Sequence, residues 1–449
     1  MPAHLWINFT GKEAHTVEQL VVVGGGWAGC AAALAAAKKG LAVTLVERTD
    51  RLLASGLVGG IMRNNGRFTA AEELKLMGAG ELIAVADAAS RHRDLDFPGH
   101  RHAALYDVEK VELPVERLLK NHGVKLLRQC RAVDVVNREN KIEAVEIARN
   151  SAPTEFLRGQ YFVDATGTAG PQARCSRFGN GCAMCIYRCP TFGSRVSIAV
   201  KAGAAENKIL RQSGVPGYFS GSCELEPTSL DSSLLSRVRE EGLIVIPFSP
   251  QTFNAQKELM IQIKACRQYS SETYSHNLIL LDTGAIKLMV PYLPLSILRC
   301  LPGFERAVFR DPLGGSRGNS VRFSGIIERD RRLMVPPLKN LFAAGERAGL
   351  SLGHTEAIVT GTLAGHNAWR LSRGLEPVEL SRECACGELI AFTGSQNIRG
   401  DRTGVVYSLA GGPLWERLQQ RNLYSTDSGA IAERIKRLGL LRIFDAERV

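Results

Sequence analysis

The nine histidines form no H-E-x-x-H or H-x-x-x-H motif, so a hydrolytic zinc site has no support. Cysteine is sparse. Eleven in 449 residues are too few for a disulfide scaffold, and an odd count in a reducing compartment points to thiols, metal ligands or catalysis. No cationic leader with a short apolar core and a small-residue cleavage site is visible, so export is not expected and the cytoplasm is the default. The uncharged run Leu20 to Ala37 is long enough to resemble a membrane span, but Gly24, Gly25, Gly26 and Gly29 cluster inside it. A strand, turn and helix accounts for it better, and no membrane association is expected.

What is present is length and positive charge. A chain of 449 residues exceeds a single core, so two or three domains are expected. The 56 Lys and Arg against 45 Asp and Glu give +11, with an isoelectric point near 9.2, which favours anionic partners such as nucleic acid or phosphate-rich cofactors.

The apolar strand Leu20 to Val23 runs into Gly24-Gly25-Gly26-Trp27-Ala28-Gly29, which has G-x-G-x-x-G spacing. Ala31 to Lys39 follows as an Ala-rich helix whose N-terminus would present free N–H groups and a positive dipole end to a pyrophosphate, and Gly40 stops it. A second strand, Leu41 to Val46, ends at Glu47 and Arg48. Glu47 is 18 positions after Gly29 and well placed to accept hydrogen bonds from an adenosine ribose. Strand, glycines, helix, strand and acid together specify a dinucleotide site.

Two further segments select the dinucleotide. Tyr161-Phe162-Val163-Asp164-Ala165-Thr166-Gly167 resembles the second glycine motif of FAD proteins of the glutathione-reductase-like fold. Asn340-Leu341-Phe342-Ala343-Ala344-Gly345-Glu346, with Gly353-His354-Thr355-Glu356-Ala357 and a helix carrying Gly361 and Gly365, resembles the segment that completes the flavin site there. That resemblance implies FAD, and a helix N-terminus able to stabilise the negative charge reduction places on the ring.

The expected architecture is therefore α/β: a glutathione-reductase-like FAD-binding Rossmann fold with an inserted mixed α+β substrate domain and a short C-terminal extension. The FAD domain would be discontinuous, residues 16–170 and 325–375, the insert 171–324 and the extension 376–449. Strand-like runs at Gly242 to Ile246, Leu259 to Ile263 and Asn277 to Leu281 suit a mixed sheet, and an amphipathic helix falls near Ile431 to Leu440.

The segment Leu341 to Trp369 also resembles flavoproteins that modify tRNA uridines: the glucose-inhibited division protein A family and the folate- and FAD-dependent tRNA uracil methyltransferases. Leu298 to Glu305 resembles the stretch before the final flavin motif of the folate-dependent branch. The resemblance implies an FAD-dependent oxidoreductase acting on a nucleic-acid base, with tRNA or another nucleic acid as partner, NAD(P)H or folate as candidate co-substrates and a homo-oligomeric state. The folate-dependent enzymes carry a reactive cysteine shortly after the second strand, where this chain has Ser55-Gly56-Leu57-Val58-Gly59-Gly60. A second family cysteine has its nearest local match at Cys223.

Four of the cysteines, Cys175, Cys182, Cys185 and Cys189, fall within fifteen residues, the last three spaced C-x2-C-x3-C-P. Three uses stay open: an iron–sulfur cluster, a redox dithiol or nucleophile beside the flavin with Cys185 reactive, and a structural zinc or inert thiols. Arg174, Arg177 and Arg188 would favour thiolate in any of them. Cys384 and Cys386 form an incidental pair. His354, in the flavin loop, is the histidine placed to transfer a proton or hydrogen-bond the flavin. Arg63, Asn64, Asn65 and Arg67, and likewise Arg317, Asn319 and Arg322, form polar loops suited to carboxylate or phosphate. The alternative function is an FAD oxidoreductase for a small anionic or amine substrate, with electrons passing through a cysteine-ligated centre.

Overall fold

A computed structural model describes residues 18–149, 153–168, 195–208, 218–220, 222–247, 276–290, 293–310, 320–322, 325–394 and 406–445. Glu18–Val23 (β1), Val43–Val46 (β2) and Lys125–Leu127 (β5) form parallel strands, as the apolar Leu20–Val23 and Val43–Val46 runs require for a sheet covered on both faces. Between β2 and β5 a hairpin, Ser90–Phe97 (β3) and His100–Tyr106 (β4), stands apart.

Glu155–Asp164 (β8) is a strand with two partners in succession. Its first half pairs antiparallel with Lys141–Ala148 (β7), itself paired with Arg131–Arg138 (β6), and its second half runs parallel beside β1. Leu341–Ala343 (β17) joins the other edge of β8 at Phe162 to Asp164, so the glycine loop, the end of β8 and the start of the last flavin segment emerge from one sheet edge.

The intervening chain builds smaller sheets. Glu206–Lys208 (β9) pairs with Gly325–Ile327 (β16), and Tyr218–Ser220 (β10) with Ser320–Arg322 (β15). Cys223–Leu225 (β11), Leu243–Pro247 (β12), Asn277–Thr283 (β13) and Ala285–Met289 (β14) form a four-stranded antiparallel sheet in the order β11-β14-β13-β12. The run at Leu259 to Ile263 lies outside the described residues. The amphipathic tail forms the helix Ser428–Arg437, whose Ile431 and Ile435 are buried in the same core as the glycine-loop helix Trp27–Ala37. Among the described residues no helix is long and apolar enough to cross a membrane.

Candidate functional site: a dinucleotide cavity with a cationic far end

The glycines at the first turn do different things. Gly24, at φ +107°, lies so close to β8 that a Cβ would meet the Ala165 carbonyl oxygen at 2.3 Å. A Cβ on Gly29 would sit 1.7 Å from the Gly24 carbonyl oxygen, so Gly29 closes the helix onto the turn. Gly26 has nothing within 4 Å of a hypothetical Cβ, because that direction opens into the cavity. It is also the N-cap of Trp27–Ala37 and makes no side-chain capping bond, the arrangement that receives a phosphate.

Glu47 ends β2 almost fully buried. Its Oε2 accepts from the Gly25 N–H at 2.7 Å, and its Oε1 accepts from the Thr49 backbone N–H at 2.8 Å and hydroxyl at 2.9 Å. The acid thus braces the glycine loop as well as standing where a ribose is expected.

A cavity of about 270 Å³ runs through this region. Gly24, Gly26, Trp27, Ala28, Glu47 and Arg48 line one part, Ala165, Thr166 and Gly167 the middle, and Gly345, Glu346, Gly353, His354 and Ala357 the other part. Of the residues expected to hold the cofactor only Gly29 and Thr355 do not line it. Gly29 packs the helix, and Thr355 donates to the Met62 carbonyl at 3.4 Å. Gly361 and Gly365 let the helix His354–Ser372 lie on the glycine-loop helix; a Cβ on either would come within 2.1 Å of the Ala28 or Ala32 carbonyl oxygen.

Buried charges hold the middle of the cavity in shape. Asp164 accepts from Thr166 N and Oγ1 at 3.1 and 2.7 Å, and its other oxygen accepts from the Ala199 N–H at 3.1 Å and from Ser197. Arg347, fully buried, pairs with Glu206 at 2.7 Å and donates to the Gly325 carbonyl at 2.9 Å. Glu346 accepts from Arg322 at 2.8 Å and from Thr168. Arg195 also lines the cavity, its pKa pushed down to about 9 by burial and by Arg347.

The far end is built around His354. The Tyr106 hydroxyl has one proton, which the Gly56 carbonyl accepts, so the 2.9 Å contact between Tyr106 and His354 Nδ1 is donated by the imidazole. Burial, then Arg67, Lys287 and Arg322, drive the His354 pKa down to about 3, so the ring is neutral at pH 7. Beside it a polar string crosses the cavity wall. Asn64 Nδ2 donates to His100 Nδ1 at 2.6 Å, Arg67 donates to Asn64 Oδ1 at 3.1 Å, and Arg67 also holds Glu356. Lys287, from β14, donates to the Gly59 carbonyl at 2.5 Å.

The cysteine expectations divide. Cys223 is buried in an apolar cluster with Leu225, Ile286 and Leu288 and is not among the described residues that line the cavity. Alternation along β11 turns it to the face away from the FAD half. Cys175, Cys182, Cys185 and Cys189 lie outside the described residues, as do Arg317 and Asn319. Thr168 and Arg195, on either side of that stretch, both line the cavity. Among the described lining residues the one thiol is Cys130, beside Arg131, and Ser55 stands near the far end. Cys384 and Cys386 sit at the start of the helix Ala385–Phe392, where Glu73 accepts the Ala385 and Cys386 N–H groups at 2.9 Å.

Sequence reasoning missed Lys287, Tyr106, His100, Arg195 and Ser408 as cavity-wall or supporting residues. Lys287 did leave a signal: it is the one cation in the apolar run Ala285 to Val290.

A parallel α/β sheet, a glycine turn without a capping side chain, and a cavity reaching past three sheet-edge loops fit FAD and define a flavoprotein of the dinucleotide-binding class. The family model for FAD dependent oxidoreductases matches residues 19–172, and that for glucose inhibited division protein A matches residues 286–376. The MnmG tRNA uridine 5-carboxymethylaminomethyl modification enzyme of Alkaliphilus oremlandii is 22% identical over 421 residues, covering 83% of this chain and 64% of that one. TrmFO, a methylenetetrahydrofolate–tRNA-(uracil-5-)-methyltransferase, of Synechococcus sp. (strain CC9605) is 36% identical over 106 residues, 21% of this chain and 20% of that one. The form II crystal structure of Aquifex aeolicus GidA superposes with a TM-score of 0.60 at 16% identity, over 94% of this chain and 76% of that one, which establishes a shared fold. The chain is therefore related to the GidA and TrmFO flavoproteins, though it spans only 20% to 64% of the length of these two curated relatives.

Proposed function

We propose that this chain is an FAD-dependent oxidoreductase that acts on a nucleic-acid base, with a tRNA uridine as the first candidate. The observation that carries the proposal is the single cavity joining the segment matched by the FAD-oxidoreductase model to the segment matched by the division-protein-A model. The glutathione-reductase-like layout, with residues 171–324 as a substrate-side insert, belongs to the same proposal.

FAD, when bound, supplies two-electron transfer. The chain's own residues do the rest. The uncapped helix start at Gly26 receives the pyrophosphate, and Glu47 and Arg48 border the adenosine end. His354, neutral and oriented by Tyr106, holds a proton on Nδ1 at the far end. Ser55 offers no thiolate for a covalent adduct, which favours redox chemistry over cysteine-mediated methyl transfer.

Purified protein mixed with total tRNA across a salt series tests the substrate class. A steep fall of affinity with salt is expected from phosphate contacts. No binding at low salt would turn the proposal toward a small anionic or amine substrate. That alternative draws on one observation, that Thr168 and Arg195, the described residues flanking the four-cysteine segment in sequence, both line the cavity; in it those cysteines carry electrons as an iron–sulfur cluster or dithiol. NAD(P)H and folate are candidate co-substrates for either reading.

A further inference from the structure

The four-stranded sheet presents two different faces. Cys223 and Leu225 of β11 share an apolar cluster with Ile286 and Leu288 of β14. Residues between them in sequence point the other way, so Glu224 and Lys287 occupy the opposite face. Met289 shares that face, packing with Ile61 and Leu105, so it is the side pressed against the FAD half.

Glu224 and Lys287 are direct partners in the β11–β14 ladder, which sets their Cβ atoms about 5 Å apart. Both are buried, 9% and 5% exposed. Lys287 lines the cavity and donates to the carbonyls of Gly59 at 2.5 Å and Val58 at 3.4 Å. Gly59 is also the residue against which His354 rests, since a Cβ there would stand 1.9 Å from His354 Cε1. The ammonium is therefore fixed at the His354 end of the cavity.

A methionine at this place in β14 would replace the apolar stem of Lys287 but not its hydrogen bonds to Gly59 and Val58. Nor would it bring charge, and in a buried setting one charge acts over several ångströms. Arg67 and Arg322 also carry charge here, ion-paired with Glu356 and Glu346.

We propose that Lys287, with Glu224 opposite it in the strand ladder, sets the electrostatic potential at the flavin end of the cavity and so the ease with which the bound flavin is reduced. The inference rests on the FAD assignment above. Lys287 favours the reduced, more negative cofactor and Glu224 moderates it, the tuning by nearby charge that proteins use on flavins.

The test is the midpoint potential of FAD-reconstituted protein, equilibrated against a reference dye, with FAD affinity measured in parallel by fluorescence titration. Lys287→Met is expected to disfavour two-electron reduction about tenfold, a shift of about 30 mV to more negative potential. Glu224→Gln should shift it in the opposite direction, Lys287→Arg should stay near the parent, and the double variant Lys287→Met/Glu224→Gln should return toward it. Sulfite, an anion that adds to oxidised flavin, should bind more weakly to Lys287→Met. A structural role would not reverse sign between the two single variants. If Lys287→Met fails to fold, the sign of the Glu224→Gln shift decides. Variants that hold FAD but leave the potential unmoved, or move it in the same direction, overturn the inference. A parent protein that takes up no FAD overturns the FAD assignment itself, and the inference with it.

Discussion

Arg67 and Glu356 lie 289 residues apart in sequence, yet Arg67 Nε donates to both carboxylate oxygens of Glu356 at 3.0 Å. The side chains are 12% and 1% exposed, and Glu356 also accepts from the Leu409 N–H at 2.9 Å and the Ser408 hydroxyl at 3.1 Å. Three distant segments thus meet on one carboxylate. Removing the arginine strands a buried charge, so Arg67→Met is expected to cost about 3–5 kcal/mol in urea unfolding. Glu356→Gln strands Arg67 in turn and should cost a comparable amount, while the Arg67→Met/Glu356→Gln double variant should cost less than the two losses added; simple additivity would argue against a role for charge.

Two glycines of one motif should fail differently. Gly26 has φ −69° and ψ 179°, a backbone any residue adopts, and its Cβ would point into open cavity. Gly26→Val should leave the circular dichroism and unfolding of the FAD-free protein unchanged while abolishing FAD retention. Gly29→Ala drives a methyl into the Gly24 carbonyl and should destabilise the FAD-free protein by about 3 kcal/mol. Cofactor content and unfolding free energy, measured on both variants, separate blockage from misfolding.

Stability should fall as the solution is acidified below neutrality. His100, His354 and His366 are each pushed down to about pKa 3, chiefly by burial and then by neighbouring cations. In the unfolded chain a histidine titrates near 6.5, so between about pH 6.5 and pH 3 the unfolded state binds more protons and stability drops with pH. Each such histidine contributes a slope of about 1.4 kcal/mol per pH unit in that window. His366, which packs on Trp369 and Phe444 outside the cavity, isolates one of them. His366→Leu should flatten the unfolding free energy against pH by one proton, and an unchanged slope would contradict a neutral buried ring.

Much of the FAD half was legible because its signals are local. Strand, glycines, helix and acid follow one another from Leu20 to Glu47, and the Ala-Thr-Gly and Ala-Gly-Glu turns end strands that pair side by side. The far end was less so, because it depends on long-range register. Whether Cys223 or Glu224 looks toward the cavity turns on a single residue of alternation, which a three-residue strand does not reveal by itself. Tyr106 and His100 come from a hairpin whose docking no motif encodes. Glu47 follows β2 and lines the cavity, but its brace on the Gly25 N–H follows from the fold of the loop and not from spacing.

The cysteine cluster can be decided chemically. If Cys175, Cys182, Cys185 and Cys189 bind an iron–sulfur cluster, anaerobically purified protein should contain stoichiometric iron and acid-labile sulfide. Cys182→Ser or Cys185→Ser should then lose both while retaining FAD. Metal-free protein with a reactive thiol pair would favour dithiol chemistry. Variants with full flavin turnover and unchanged metal content would remove the cluster from the mechanism.

The contact of Gly361 and Gly365 with Ala28 and Ala32, joined by Glu356 to Leu409, has a consequence for biogenesis. A ribosome delivers the helix that completes the seat of the glycine turn more than 300 residues after the turn itself. The nascent chain therefore carries an open half-site while those residues are made, and closure must await a contact of very high sequence separation, a slow class of folding event. Cofactor capture is then expected late, after the segment around Leu409 has emerged, and a chain stalled before Gly361 should leave the ribosome without its flavin.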